Sequence, residues 1–251
     1  MDSNGFQSAY SESCSALFAV APSSGRRGIV TVDRTGSDGY GAGDCTNTFG
    51  GTSSSAPLAA GAIALLLQLR PELTWRDVQH VIARGATKIN IGDPSYGATN
   101  ARGYLHSERY GFGNLVLPQL VATAKAHQLV PAQRLLCQVS LEHLSLKMSP
   151  RLNVTLECPE VAGSFVEHVE LVIGWTHSCR GKASFGLVSQ GGKTSHLAVE
   201  HAADCASGTT SWPFRSVAHW GETLSPTWIL MANDPTQQGQ LLHLQLSVWG
   251  H

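Results

Sequence analysis

Gly51-Thr52-Ser53-Ser54-Ser55-Ala56-Pro57-Leu58-Ala59-Ala60-Gly61 is the stretch that decides the fold. Small residues surround a run of hydroxyls, and Ala62-Ile63-Ala64-Leu65-Leu66-Leu67-Gln68-Leu69-Arg70 then turns almost wholly apolar. That composition predicts a buried helix with a tight, Gly-rich start. A proline is tolerated in the first helical turn, where its missing N–H has no partner to lose, so Pro57 should sit there. Pro71 should end the helix. Ser53 then falls at or near a helix N-terminus, where unpaired backbone N–H groups and the dipole favour developing negative charge. The G-x-S-x-G elbow of another hydrolase class does not fit, because Gly51-Thr52-Ser53-Ser54-Ser55 ends in Ser.

The motif Gly-Thr-Ser-x-Ser-Ala-Pro followed by Leu-Ala-Ala-Gly resembles the nucleophile segment of subtilisin-like serine proteases, specifically the kexin/furin proprotein convertases. The resemblance implies that Ser53 is the nucleophile. Flanking segments extend it. Tyr10-Ser11-Glu12-Ser13-Cys14-Ser15 and Ile29-Val30-Thr31-Val32-Asp33 are similar to convertase stretches that precede the nucleophile. By that resemblance Glu12 is a calcium ligand near the specificity pocket, a role that suits a hard carboxylate oxygen. Leu73-Thr74-Trp75-Arg76-Asp77-Val78-Gln79-His80 and Tyr110-Gly111-Phe112-Gly113-Asn114-Leu115 also resemble convertase segments.

The 251 residues, 42% hydrophobic and 14% charged, suffice for one large or two ordinary domains. A net charge of −1 argues against nucleic acid as a partner. No H-E-x-x-H or C-x-x-C spacing points to zinc. The run Ala56 to Leu67 is too short to span a bilayer, so no membrane segment is expected, and no signal peptide is visible at Met1. The six cysteines are even in number but are not thereby shown to be paired. The sequon Asn153-Val154-Thr155 is weak evidence for a secretory compartment.

In chain order, Ala16–Ala21 reads as a buried parallel strand, Ser23–Gly28 as a turn and Ile29–Asp33 as a second strand. Thr74 caps a helix running to Gly85, with Asp77 bonding back as a variant capping box and Val78, Val81 and Ile82 forming its buried stripe. His80 is read as structural. The polar stretch 90–108 is expected on the surface, and a helix should cover roughly Leu117 to His127. Beyond Val130-Pro131 the period becomes two, as in Val169, Leu171, Ile173, Trp175 and in Leu242, Leu244, Leu246, Val248. This predicts an antiparallel β-sandwich or jelly roll.

The fold expected is therefore α/β over 1–130, the C-terminal part of a subtilisin-like parallel-sheet catalytic domain, followed by an all-β P domain over 131–251. The resemblance further implies a Cys137–Cys158 bridge, leaves Cys179 with Cys205 open, and leaves Cys14 and Cys45 unpaired. It implies calcium, proprotein or peptide substrates with basic cleavage sites, and the secretory pathway: Golgi, cell surface or secreted, with or without an anchor in the full-length protein. A serine hydroxyl needs a base, a carboxylate to orient it, and oxyanion donors. The family's order is Asp, His, Ser, yet the first histidine here is His80. The Asn of the oxyanion hole is absent too, and Phe49-Gly50 replaces the usual His-Thr. A sheet without its first strands would expose an apolar edge, so this chain alone is expected to be unstable and inactive. Two rival readings are a non-catalytic convertase-derived protein whose sandwich is a binding or stabilising module, and a hydrolase of another fold in which Ser53 works with Asp204 and His219.

Overall fold

The computed structural model describes residues 1–25, 28–41, 43–159 and 163–251; Arg26 and Arg27 of the expected turn lie outside them. The chain divides into two compact units. The first comprises Met1–Ser13, Leu17–Ser95 and Arg109–Val130, and the second Cys14–Ala16, Tyr96–Glu108 and Pro131–His251.

In the first unit β1 (Ile29–Val32) and β2 (Cys45–Phe49) pair antiparallel. The Asp33 carboxylate ties their connection by accepting from the backbone N–H of Tyr40 at 2.7 Å and of Arg34 at 2.8 Å. Three helices follow: α1 (Thr52–Leu69), α2 (Trp75–Gly85) and α3 (Leu117–Ala126). Ala16–Ala21 forms no strand; among the described residues it makes only the parallel bridge of Val20 to Asn114. Bonds to the same turn flank it, with Phe112 N–H donating to Phe18 and Leu115 N–H to Val20, while the Ala21 carbonyl accepts from the Met1 terminal amine instead. One-sided pairing to a turn cannot propagate a ladder.

Two features of α1 depart from expectation. The helix starts at Thr52, so Pro57 lies inside it and removes the bond that the Ser53 carbonyl would otherwise accept. The helix is also not buried: only Ser54 and Leu66 are enclosed, and Leu65 is 48% exposed. Its apolar residues run all round, yet the unit covers little of that surface.

α2 matches its signals. Thr74 caps it, and Thr74 and Asp77 form the reciprocal capping box. Val78, Val81 and Ile82 are buried. Gly85 lets α3 approach, because a Cβ there would stand 2.7 Å from the Thr123 hydroxyl.

The second unit is a sandwich of antiparallel sheets. One has the order β5 (Leu152–Glu157), β10 (Thr227–Asn233), β7 (Ser184–Ser189), β8 (Thr194–Ala198). The other has β3 (Arg134–Leu141), β11 (Gln240–Gly250), β6 (Val166–His177), β9 (Gly208–Ser216), with the short β4 (Leu146–Lys147) also on β11. Leu171, Ile173, Leu187, Trp228, Leu230, Leu244 and Leu246 fill the space between them. A bulge between Leu241 and His243 puts Leu241 into the buried row where strict alternation placed Leu242. Cys137 on β3 is bonded to Cys158 after β5, which ties the two sheets together. Cys179 is bonded to Cys205, and Cys14 and Cys45 are free and exposed.

The stretch expected as a surface excursion is partly buried: Tyr96, Asn100, His106, Ser107 and Glu108 are all enclosed. Its 96–108 portion belongs to the second unit. The buried Lys193 ammonium donates to the carbonyls of Tyr96 at 2.9 Å, Ala98 at 3.0 Å and His106 at 3.0 Å. The Asn100 amide donates to the Trp220 carbonyl at 2.9 Å, and its oxygen accepts from the Tyr104 N–H at 2.9 Å. Glu222 accepts from the Ala101 N–H at 2.9 Å. Polar residues that read as loop are here each other's partners, which is how a polar segment can be buried.

Candidate active site

Ser53 is the second residue of α1 and is exposed. The helix can begin there because Gly51, at its N-cap, has φ 82°, a conformation that a side chain would strain. The next two serines fasten this turn. Buried Ser54 donates to the Ser23 carbonyl at 3.0 Å or to Gly51 at 2.8 Å, and Ser55 to Pro22 at 3.0 Å or Ala21 at 3.1 Å. Ser23 in turn meets the Tyr10 hydroxyl at 2.7 Å and the Ser8 hydroxyl at 3.2 Å. Ser54 and Ser55 are thus spent on anchoring, while the Ser53 hydroxyl has no hydrogen bond within the described residues. The Ser53 N–H is one of the first-turn donors that the helix itself leaves open, and the dipole adds to its pull on an anion.

Thr52, Ser55, Ala56 and Ala59, one face of α1, line a cavity of about 290 Å³ together with Glu12, Arg109 and Tyr110. Ser53 is not among the lining residues. Glu12 is exposed and contributes the only carboxylate to that lining. Calcium takes about six to eight oxygens, and Glu12 is the one carboxylate in this lining.

The histidines of this unit are engaged elsewhere. His127 Nε2 lies 2.7 Å from Asp77 Oδ1, Val130 N–H donates to the same oxygen at 2.8 Å, and Arg84 donates to His127 Nδ1. Both members of this pair are buried. Burial raises the Asp77 carboxyl, but hydrogen bonds from Thr74, His127 and Val130 outweigh it and hold the group well below the usual carboxylate range. This His–Asp pair closes the first turn of α2 against the chain after α3, and among the described residues no serine or cysteine is bonded to it. His80 is buried and its ring stacks 6.3 Å from that of His127, in keeping with a structural role.

Asp204 and His219 are not brought together. Asp204 pairs with Arg180 at 2.9 Å, whereas His219 is fully enclosed, 3.3 Å from Glu222 and edge-on to Trp228. Sequence reading missed the Asp77–His127 pair and the Lys193 cradle. Asp77 was visible only as a cap, and nothing local marks a lysine after Gly191-Gly192 as buried.

A serine placed this way on a Gly-started helix, ahead of a P-type sandwich, defines the class as subtilisin-like. The Subtilase family profile matches residues 3–113, and the proprotein convertase P-domain profile matches residues 166–248. The chain is 35% identical to Furin-like protease 1, isoform 1-CRR of Drosophila melanogaster, over 96% of its length and 22% of that protein. It is 36% identical to human proprotein convertase subtilisin/kexin type 7 over 100% of its length and 33% of that protein. For Kexin of Saccharomyces cerevisiae the values are 34%, 87% and 27%. In fold it is similar to a serine protease of Aeromonas sobria, with a TM-score of 0.87, 21% identity, and coverage of 100% of this chain and 56% of that one. The chain belongs to the kexin/furin family of proprotein convertases, and it spans about a third or less of the length of these curated relatives. α1 has the length and hydropathy of a marginal bilayer span, but its first turn is polar and the Subtilase match runs through it.

Proposed function

We propose that residues 1–130 are the rear of a serine endopeptidase catalytic domain, that 131–251 are its P domain, and that Ser53 is the nucleophile. The observation that carries this is the exposed, uncommitted Ser53 hydroxyl beside an open backbone N–H, on a turn whose other serines are bonded away. In the reaction Ser53 Oγ bonds to the scissile carbonyl carbon. Its proton passes to a base and on to the departing amine, while the Ser53 N–H stabilises the oxyanion. Water then hydrolyses the acyl-enzyme. The base and its orienting carboxylate are not among the described residues, because the sequence has no histidine ahead of Ser53. The chain by itself is therefore inactive on this reading.

The family supports the finer assignments: proproteins cut after basic residues, action in the secretory pathway, and calcium dependence with Glu12 as one ligand. The further oxygens that calcium needs would be carbonyl, amide or water oxygens or carboxylates other than Glu12. The second reading is a non-catalytic convertase-derived protein whose sandwich, which has its own closed core, binds or stabilises a partner.

Mapping the 5′ end of the transcript and labelling the resulting protein with a fluorophosphonate separates the two. An upstream frame carrying Asp, His and the oxyanion Asn, with labelling lost in Ser53→Ala, establishes the protease. An in-frame stop just upstream with an unlabelled, folded protein establishes the second reading. Labelling of Ser53 in the 251-residue chain alone overturns the account of the missing base.

A further inference from the structure

Each sheet of the sandwich ends in two edge strands, and three of the four carry a device against further pairing. β3 has Arg134 and an irregularity in its register with β11. β9 has Pro213, which lacks an N–H to offer, and Arg215. β8 pairs with β7 through a register shift at Phe185 and Gly186. β5 differs. It pairs with β10 on one side in an unbroken register, and its other side is open. Leu152-Asn153-Val154-Thr155-Leu156-Glu157 has no proline, and its one charge stands at the last position. A strand of that length presents about 20 Å of backbone whose outward N–H and C=O groups invite another chain.

What β5 does carry is the one N-x-S/T sequon of the chain, Asn153-Val154-Thr155. Alternation puts Asn153 and Thr155 on the same face, and both are exposed, while Val154 and Leu156 are buried between the sheets. Neither the Asn153 amide nor the Thr155 hydroxyl has a hydrogen bond among the described residues, whereas Glu157 of the same face accepts from the Thr227 hydroxyl at 3.1 Å. The register sets Asn153 opposite Met231 and Thr155 opposite Ile229, both only partly covered. Such cross-strand neighbours have Cβ atoms about 5 Å apart. A bulky, hydrated group on Asn153 would stand at the border of the sheet, beside this apolar pair, and obstruct an approaching strand.

We propose that Asn153 is the acceptor of an N-linked oligosaccharide and that this sugar closes the β5 edge. In the transfer, Asn153 Nδ2 bonds to the anomeric carbon of the first sugar of a lipid-linked oligosaccharyl pyrophosphate. The bond from that carbon to the pyrophosphate oxygen breaks, and the lipid pyrophosphate leaves with the electron pair. The amide gives up one proton to a base of the transferase, and nothing is oxidised or reduced. The modified group is large, solubilising and confined to the surface, which suits an exposed edge and no buried position. This proposal rests on the secretory-pathway reading, because the donor and the transferase meet a chain only as it enters that compartment.

The test expresses the 251-residue chain behind an added signal peptide, with a second sequon in a C-terminal tag that reports entry. Sugar is attached to the entering, unfolded chain, so the variants need not fold for occupancy to be read. Digestion with peptide N-glycosidase should give two mobility steps for wild type and Thr155→Ser, and one for Asn153→Gln and Thr155→Ala. Digestion in heavy-oxygen water should leave labelled aspartate at position 153. An occupied tag with an unmodified Asn153 would overturn the proposal. The product of the complete transcript, without the added signal peptide, tests the compartment separately: sugar in the first experiment and none in the second keeps the acceptor and removes the secretory reading. For the edge, that complete product is secreted behind the added signal peptide and compared with its Asn153→Gln and Asn153→Lys variants by size exclusion. The monomer should be lost in Asn153→Gln and restored in Asn153→Lys, where a charge takes over from the sugar. The two variants eluting alike would overturn the edge role.

Discussion

The two units solve the problem of apolar surface differently. In the second, two sheets close on each other and residues such as Trp228 and Leu244 have no exposure at all. In the first, an 18-residue helix with five leucines leaves all but two of its residues uncovered or only partly covered. Apolar composition therefore does not by itself predict burial. What predicts it is a partner surface of matching period, which β6 and β11 have in the facing sheet and α1 lacks among the described residues.

The contrast can be broken most directly at the cores. Trp228→Ala in the sandwich should cost about 3–5 kcal/mol, whereas Leu65→Ala on α1 should cost about 0.5 kcal/mol or less; urea unfolding measured on both variants checks this. Equal losses would mean that α1 is covered in solution. Next in size is the cross-linking. Replacing Cys137 and Cys158 by alanine should destabilise the sandwich by about 2–5 kcal/mol, and hydrogen exchange in α2 and α3 should be unchanged.

Asp77→Asn should cost about 2–4 kcal/mol, because it leaves the Thr74, His127 and Val130 donors with poorer partners. The pH dependence has a definite sign. The folded carboxyl titrates below its unfolded value, so its contribution is complete above the ordinary carboxylate range and is lost as pH falls beneath it. Thermal melts should show a shallower acid limb for Asp77→Asn than for wild type. The smallest effect concerns His196, whose pKa is raised by its hydrogen bond to Glu108. That stabilisation is present below the unfolded histidine value and disappears as pH rises through the folded one. The ring is largely exposed, so His196→Gln should shift melting by no more than about 1 °C near pH 6 and not at all near pH 8.

Much of the second unit was legible because a strand writes its buried face every second residue. The failures there are informative: a single bulge moved the buried position from Leu242 to Leu241, and no periodicity announces a bulge. In the first unit the capping box at Thr74 and Asp77 was read from four residues, since its bonds are local. The helix start near Ser53 was read correctly, and the place of Pro57 within it was not. Pro57 looked like a first-turn residue, but it is the sixth residue of a helix capped by Gly51, and the lost bond at Ser53 is accepted. Ser53 was singled out by its motif, and its place in the first turn of α1 and its exposure are what the structure adds. The burial of 96–108 was illegible because its partners, Lys193, Trp220 and Glu222, lie about a hundred residues away.

That segment makes the path of the chain a thread that leaves the first unit, is stitched into the second, and returns before α3. The units are consequently inseparable by a single cut. A polypeptide beginning at Pro131 would carry Lys193 with none of its three carbonyls, an ammonium stripped of its acceptors. On the ribosome, the same stitch means that residues 96–108 emerge well before Lys193 and must wait, with their carbonyls in water, until the rest of the sandwich has been made.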